Sequence, residues 1–234
     1  MRQIILDTET TGLSVDDGHR IIEIGCLEVV DRRSTSRHLH LYVNPERKVD
    51  EGALAVHGIS DDQLVDKPKF AEIARQFIDF VRGAEILIHN AAFDVGFLDA
   101  ELGRAGLGRF ADHVAGIVDT LAMARELHPG KRNSLDSLCD RYGISNAHRK
   151  LHGALLDAEL LAEVYLAMTR GQDSLAIVDG VDAGGDSSSG DDGPWPPSGL
   201  RVLAAGEAAL AAHEATLAAI AKEARKPAVW LDAG

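Results

Sequence analysis

The chain has 234 residues, 45% of them hydrophobic and 26% charged, which suits a folded soluble protein with room for one sizeable domain and something more. MRQIILD enters a strand-like run at once and no apolar run reaches the length of a membrane span, so neither a secretory leader nor a membrane protein is expected, and the cytoplasm is the expected compartment. A formal net charge of −13 excludes a protein that holds nucleic acid unaided on a basic surface, and two distant cysteines in apolar surroundings, Cys26 and Cys139, exclude a disulfide scaffold or a zinc site.

In chain order, QIILD, RIIEIGCLEVV and SRHLHLYV are three consecutive strands joined by polar turns. FAEIARQFIDFVRG carries apolar residues at helical spacing and closes on a glycine, so it is a helix with a C-cap. AEILIHN is a short buried strand and AAFDVGFLDAELGRAG the helix that leaves it, while GIVDT supplies a fifth strand. NSLDSLCDRYG is a helix capped by Asn133 or Ser134 and stopped at Gly143. GALLDAELLAEVYLAMTRG is a long helix with a continuous apolar face. A meander followed by strand–helix units predicts an α/β layer built on a mixed five-stranded sheet flanked by helices, over residues 1–170.

The composition then shifts. Residues 178–200 hold five aspartates, no Lys or Arg, and many Gly, Ser and Pro, the signature of a flexible acidic linker. Residues 201–234 contain an alanine-rich helix with Leu203, Leu210 and Leu217 at heptad spacing, then a strand-like AVWLD, a piece too small to own a core. Both tryptophans, Trp195 and Trp230, fall in this C-terminal region.

Three stretches look like chemistry. In ILDTETTGL, Asp7 and Glu9 share one face of an extended strand, and like charges so placed need a shared proton or a cation between them. In ILIHNAAFDVGFL, Asp94 enters the first turn of a helix after a buried strand, where it also complements the helix dipole. In LHGALLDAELLAEVYLAM, Asp157 sits among Leu156, Leu160 and Leu161 on an apolar face, so something positive should meet it, and His152 lies at or before the helix start. Four convergent oxygen ligands without Cys or paired His suit a hard cation, Mg²⁺ or Mn²⁺, and two such ions about 4 Å apart serve in-line phosphoryl displacement.

DTETTG, HNAAFD and HGALLD resemble, in order and spacing, the three exonuclease motifs of the histidine-containing branch of the DEDD superfamily, which has a ribonuclease H-like fold. Within that branch KRNSLDSLC, the final helix of the domain and the tail are similar to the epsilon (proofreading) subunits of the bacterial replicative polymerase, DNA polymerase III. The resemblance implies a 3′→5′ exodeoxyribonuclease that removes mispaired 3′-terminal nucleotides as 5′-mononucleotides with two divalent cations. It implies Asp7, Glu9 and Asp157 as ligands of the first ion, Asp7 and Asp94 of the second, and His152 as the base that takes a proton from the attacking water. Asp7, Glu9 and Asp157 would thereby also touch the substrate, with Thr10 packing against the 3′ nucleotide and His57 reaching its phosphate or sugar. Frayed ends, already single-stranded, are the cheapest to extrude. One departure is Gly52 where the family often has Glu, with Glu51 adjacent.

The resemblance extends to partners. GQDSLAIV, at residues 171–178, is similar to the short pegs that bind the sliding clamp, with Gln172, Leu175 and Ile177 as anchors and Ile177 in place of the preferred aromatic. The tail of 201–234 resembles the segment that docks on the polymerase (alpha) subunit, and a small theta-like accessory subunit is also implied. A tethered module gains effective concentration on DNA that its partner holds, which fits the acidic charge. The alternatives are an exoribonuclease of the same branch and a non-catalytic bridge between polymerase and clamp.

Overall fold

The computed structural model describes residues 1–147, 149, 151–170 and 205–224. The chain divides into two units, Met1–Ile177 and Val178–Gly234. In the first, β1 (Arg2–Thr10), β2 (Ile21–Val30) and β3 (Arg33–Tyr42) form the meander. The short helices α1 (Glu51–His57) and α2 (Asp61–Leu64) follow, then α3 (Phe70–Val81), β4 (Glu85–Ile88), α4 (Ala91–Arg104), β5 (Gly116–Asp119), α5 (Thr120–Leu127), α6 (Leu135–Tyr142) and α7 (Ala154–Met168). The five-stranded sheet has the order β3-β2-β1-β4-β5, with β1 central, antiparallel to β2 and parallel to β4.

Alternation along β1 distributes its side chains between two cores. Ile4 and Leu6 join Phe70, Phe77, Ile86, Phe97 and Leu98 under α3 and α4. Ile5 points the other way, packing with Leu87, Leu138, Leu160, Leu161 and Val164 under α6 and α7. Asp7 and Glu9 continue the Ile5 face and therefore emerge beneath α7, whereas Thr8 continues the Ile4 face toward α4. A strand buried on both faces reads as a continuous apolar run, and IIL does.

The strands and the α3, α4, α6 and α7 helices coincide with the segments expected from sequence to within three residues at each end, β1 running on to Thr10 and β3 starting earlier, at Arg33. Ser134 is the α6 N-cap, its side chain accepting the Ser137 N–H, and Gly143 ends the helix at φ +67°. The sequence did not disclose α1, α2 or α5, all eight residues or shorter and fixed by packing rather than by a long periodic face. Cys26 and Cys139 are buried free thiols.

The second unit is described only over 205–224, where α8 (Glu207–Ala224) is a single helix with Leu210 and Ile220 exposed. The expected clamp anchors Gln172, Leu175 and Ile177, the linker 178–200, Leu203, both tryptophans and AVWLD lie outside the described residues. Among the described residues no helix is long and apolar enough to cross a membrane.

Candidate active site

Asp7 and Glu9 stand near the C-terminal end of the central strand, opposite Gly25 and Glu23 of β2, and a register shift between Glu9 and Thr10 breaks the ladder there. Such irregularities re-aim side chains at the ends of strands. Asp94 arrives from the first turn of α4, which starts immediately past β4, with Asn90 as a left-handed N-cap at φ 71°. It is buried, and Thr8 fixes it twice, through its backbone N–H (3.1 Å) and its hydroxyl (2.6 Å) to Oδ1. Asp157 is buried in the first turn of α7.

His152 precedes that helix, as expected, and its backbone N–H donates to Val56 O of α1 at 3.1 Å. Its ring Nδ1 lies 3.4 Å from Asp157 Oδ2. One ligand atom from each of Glu9, His152 and Asp157 falls within 4.8 Å of the others. The helix carrying Asp157 is held down by Glu23, whose carboxylate accepts the Ala154 N–H at 3.1 Å and the His40 ring contact at 2.6 Å.

The cluster strains its own charges. Burial, then the neighbouring Asp94, Asp157 and Glu9, raises the Asp7 carboxyl well above its usual range. Burial and Asp157 push Glu9 up to about 8. Burial pushes Asp94 up to about 7 in spite of the Thr8 hydrogen bonds. A cation among these oxygens would offset that repulsion, and an oxygen donor set with one imidazole fits a hard divalent ion.

Two cavities meet over these groups. One of about 660 Å³ is lined by all four acids, His152 and the basic side chains Arg125, Lys131 and Arg149. The other, about 530 Å³, is lined by Thr10, Gly12, Leu13, Val56 and His57 among others. Thr8, Glu9 and Phe93 line both. Thr10 turns its hydroxyl back on Gly12 O (2.7 Å), so it offers the cavity its carbon surface. His57 is buried, accepts the Ile59 N–H on Nδ1 at 3.0 Å, and so carries its hydrogen on Nε2, which has no partner among the described residues. Burial lowers its pKa, keeping the ring neutral. Gly52, the departure from the family pattern, lines this second cavity.

Sequence reasoning brought together Asp7, Glu9, Asp94, His152 and Asp157 but missed Arg149. Its Nε and Nη2 grip Asp157 Oδ1 and Oδ2, each at 2.6 Å, and Nη1 reaches Asp136 Oδ1 at 2.6 Å. The expectation that something positive must face Asp157, seven residues after a basic HRK run, was the available signal. Phe93 was missed as well, being one of two phenylalanines in α4.

A strand pair of acids, an acid after the neighbouring parallel strand and a His just ahead of a late helix that carries an Asp lie together on a ribonuclease H-like sheet, and the family model described as exonuclease (RNase T) matches residues 4–165. The DNA polymerase III subunit epsilon of Pasteurella multocida is 58% identical over 178 residues, covering 74% of this chain and 70% of that one. That of Escherichia coli K12 is 49% identical over 232 residues, covering 95% and 94%. The chain belongs to this exonuclease family and, within it, to the epsilon subunits, which are proofreading 3′→5′ exonucleases.

Among solved structures, exonuclease X in complex with 5′ overhanging duplex DNA aligns with a TM-score of 0.56 at 26% identity, over 71% of this chain and 90% of that one. The zinc-bound E. coli exonuclease I–ssDNA complex aligns at 0.64 and 19% identity, over 73% and 41%, a likeness of fold. Exonucleases of this family generally work with divalent metal ions.

Proposed function

We propose that this chain hydrolyses the last phosphodiester of a mispaired DNA 3′ end, releasing a 5′-mononucleotide, as the proofreading subunit of a replicative polymerase. The observation that carries it is the convergence of Asp7, Glu9, Asp94, Asp157 and His152 at the junction of two cavities. Asp7, Glu9 and Asp157 would hold one divalent cation and Asp7 with Asp94 a second, Mg²⁺ or Mn²⁺. When bound, such ions supply Lewis-acid stabilisation of the phosphate and a more acidic attacking water.

The chain's own groups do the rest. The smaller cavity takes the terminal nucleotide: Thr10 and Val56 supply apolar walls, and neutral His57 donates its Nε2–H to the sugar or phosphate. Phe93 spans the junction, so the scissile phosphate lies over the acids with the terminal base to one side. Arg125 and Lys131 in the larger cavity face the preceding phosphate. His152, with Nδ1 turned to Asp157, takes the proton of the attacking water on Nε2.

Partner binding lies in the C-terminal region. Residues 1–170 form the nuclease, 171–177 with Gln172, Leu175 and Ile177 engage the sliding clamp, 178–200 act as the linker, and 201–234 dock on the polymerase alpha subunit. A small theta-like subunit joins the nuclease, and the assembly works in the cytoplasm. The similarity to subunits named for DNA polymerase III supports the assignment, and so does the net charge of −13, which leaves DNA delivery to a partner.

The test is hydrolysis of a 3′-mismatched DNA primer, a matched DNA single strand and an RNA of the same sequence with Mg²⁺. Faster release of 5′-mononucleotides from the frayed DNA end is expected. Preference for the RNA would make the protein an exoribonuclease, and hydrolysis of none of them a bridging subunit.

A further inference from the structure

Arg149 stands where the metal reading needs empty oxygens. Its side chain is 6% exposed, and its guanidinium takes both oxygens of Asp157 in a fork, at 2.6 Å each. A planar fork on a carboxylate is among the strongest charge-assisted contacts a protein makes. The third arm ties Asp136 of α6, which in turn accepts from Asn146 Nδ2 at 3.1 Å. The same Nη2 lies 3.0 Å from His152 Nδ1. Guanidinium nitrogens only donate, so Nδ1 accepts, and the neutral ring must carry its hydrogen on Nε2. One side chain therefore covers both oxygens of one proposed ligand and withholds the basic nitrogen of the proposed base.

We propose that Arg149 is an internal counter-cation that holds the metal-free site in an inactive state, and that loading the site is an exchange of guanidinium for divalent metal at Asp157. Burying Asp157 among Leu160 and Leu161 unpaired would be costly, and Arg149 removes that cost until metal arrives. Its position suits an exchange: Arg149 lies between α6 and α7 and belongs to neither helix, so it can withdraw without unwinding either. Once it leaves, His152 Nδ1 can carry its hydrogen toward Asp157 Oδ2, 3.4 Å away, which frees Nε2 to accept a proton. Arg149 is thus a positioning residue that couples metal occupancy to the state of the base. The inference rests on Asp157 being a metal ligand.

The full-length protein, stripped with chelator, is titrated with Mn²⁺ and free Mn²⁺ is read by electron paramagnetic resonance. Arg149→Gln is expected to bind the metal at least about tenfold tighter, as removal of a competing cation worth 1.4 kcal/mol or more requires, with Arg149→Lys between it and wild type. Arg125→Gln removes a charge from the same cavity without touching Asp157 and is expected to change the affinity far less. In the nuclear magnetic resonance spectrum a protected Arg149 Nε–H, assigned by its loss in Arg149→Gln, is expected in chelator and should vanish on saturation with Mg²⁺. An unchanged or weaker Mn²⁺ affinity in Arg149→Gln, an equal gain in Arg125→Gln, or an Nε–H that persists with Mg²⁺ overturns the exchange. Asp157→Asn separates the two ideas: if it leaves Mn²⁺ affinity unchanged, the ligand assignment has failed, not merely the role of Arg149.

Discussion

Gly25 of β2 faces the backbone of Ala154 so closely that a Cβ built on it would overlap the Ala154 carbonyl and the Leu155 nitrogen. Gly25 also pairs with Asp7 across the sheet, so the residue that lets α7 descend lies beside the first acid. The height of α7 sets where Asp157 and His152 fall. A single methyl group at this point cannot be absorbed by a flexible side chain, because its neighbours are backbone.

Gly25→Ala is therefore expected to cost about 1–3 kcal/mol of stability, the range for overpacking a tight contact, and to weaken Mn²⁺ binding and hydrolysis together. Urea denaturation and a metal titration on the same preparation check it. Normal metal affinity in a destabilised protein would show that the close approach serves packing alone.

Asp7→Asn and Asp157→Asn should both abolish hydrolysis yet move metal-free stability in opposite directions. Asp7 is crowded by Asp94, Asp157 and Glu9, so neutralising it relieves repulsion and should raise the melting temperature in chelator. For Asp157 the sign is opposite: the positive partner that its apolar surroundings call for is Arg149, and the side chains of both are buried. Breaking such a pair typically costs about 3–5 kcal/mol because the partner charge is stranded. Melting curves of the two variants in chelator at pH 8 decide this, and equal shifts of one sign would contradict it.

His152→Ala should slow single-turnover hydrolysis by about 10²–10⁴-fold, the range for a positioned general base. The backbone anchor to Val56 O is retained in the variant, so the segment should keep its place and DNA binding should change little. A loss confined to substrate affinity would assign the ring a binding role instead.

Ending the chain after Arg170 should leave hydrolysis of short DNA single strands intact and abolish co-purification with a polymerase subunit. The described part of the tail, α8, exposes Leu210 and Ile220, each forfeiting about 1.5–3 kcal/mol relative to burial. Retained co-purification would move the docking surface into the nuclease unit.

The acids were legible because chemistry leaves local traces: two carboxylates on one strand face, and one carboxylate on the otherwise apolar face of a helix. The fold was legible where periods were long, as in α3 and α7. Short helices such as α1 and α5 were not, since their positions depend on what they pack against. Arg149 was hidden for a similar reason. Nothing in HRK separates a solvated basic run from a buried guanidinium until α6 and α7 are placed around it. His57 was assigned to the substrate by resemblance, whereas its burial and free Nε2 are visible only once α1 lies beside β1.

The pH dependence of metal-free stability follows from the raised carboxyls. Glu9 holds its proton in the folded protein up to about 8 and Asp94 up to about 7, whereas in the unfolded chain both ionise near their ordinary values, 4.5 and 3.8. Between those limits the folded state binds more protons than the unfolded one, so stability falls as pH rises. At pH 5 the protonated groups do not repel; by pH 8.5 they must ionise against burial and one another. The chelated protein is therefore expected to lose stability progressively from about pH 5 to pH 8.5, by an amount on the order of a few kcal/mol. Saturating Mg²⁺ should flatten that slope, because a cation on the same oxygens offsets the charge, and its binding should release protons most strongly near pH 7. Denaturation midpoints in urea across this range, with chelator and with Mg²⁺, check both halves. Rising stability with pH in chelator would mean that Glu9 and Asp94 are already ionised at low pH, and that Arg149 alone suffices to balance the cluster.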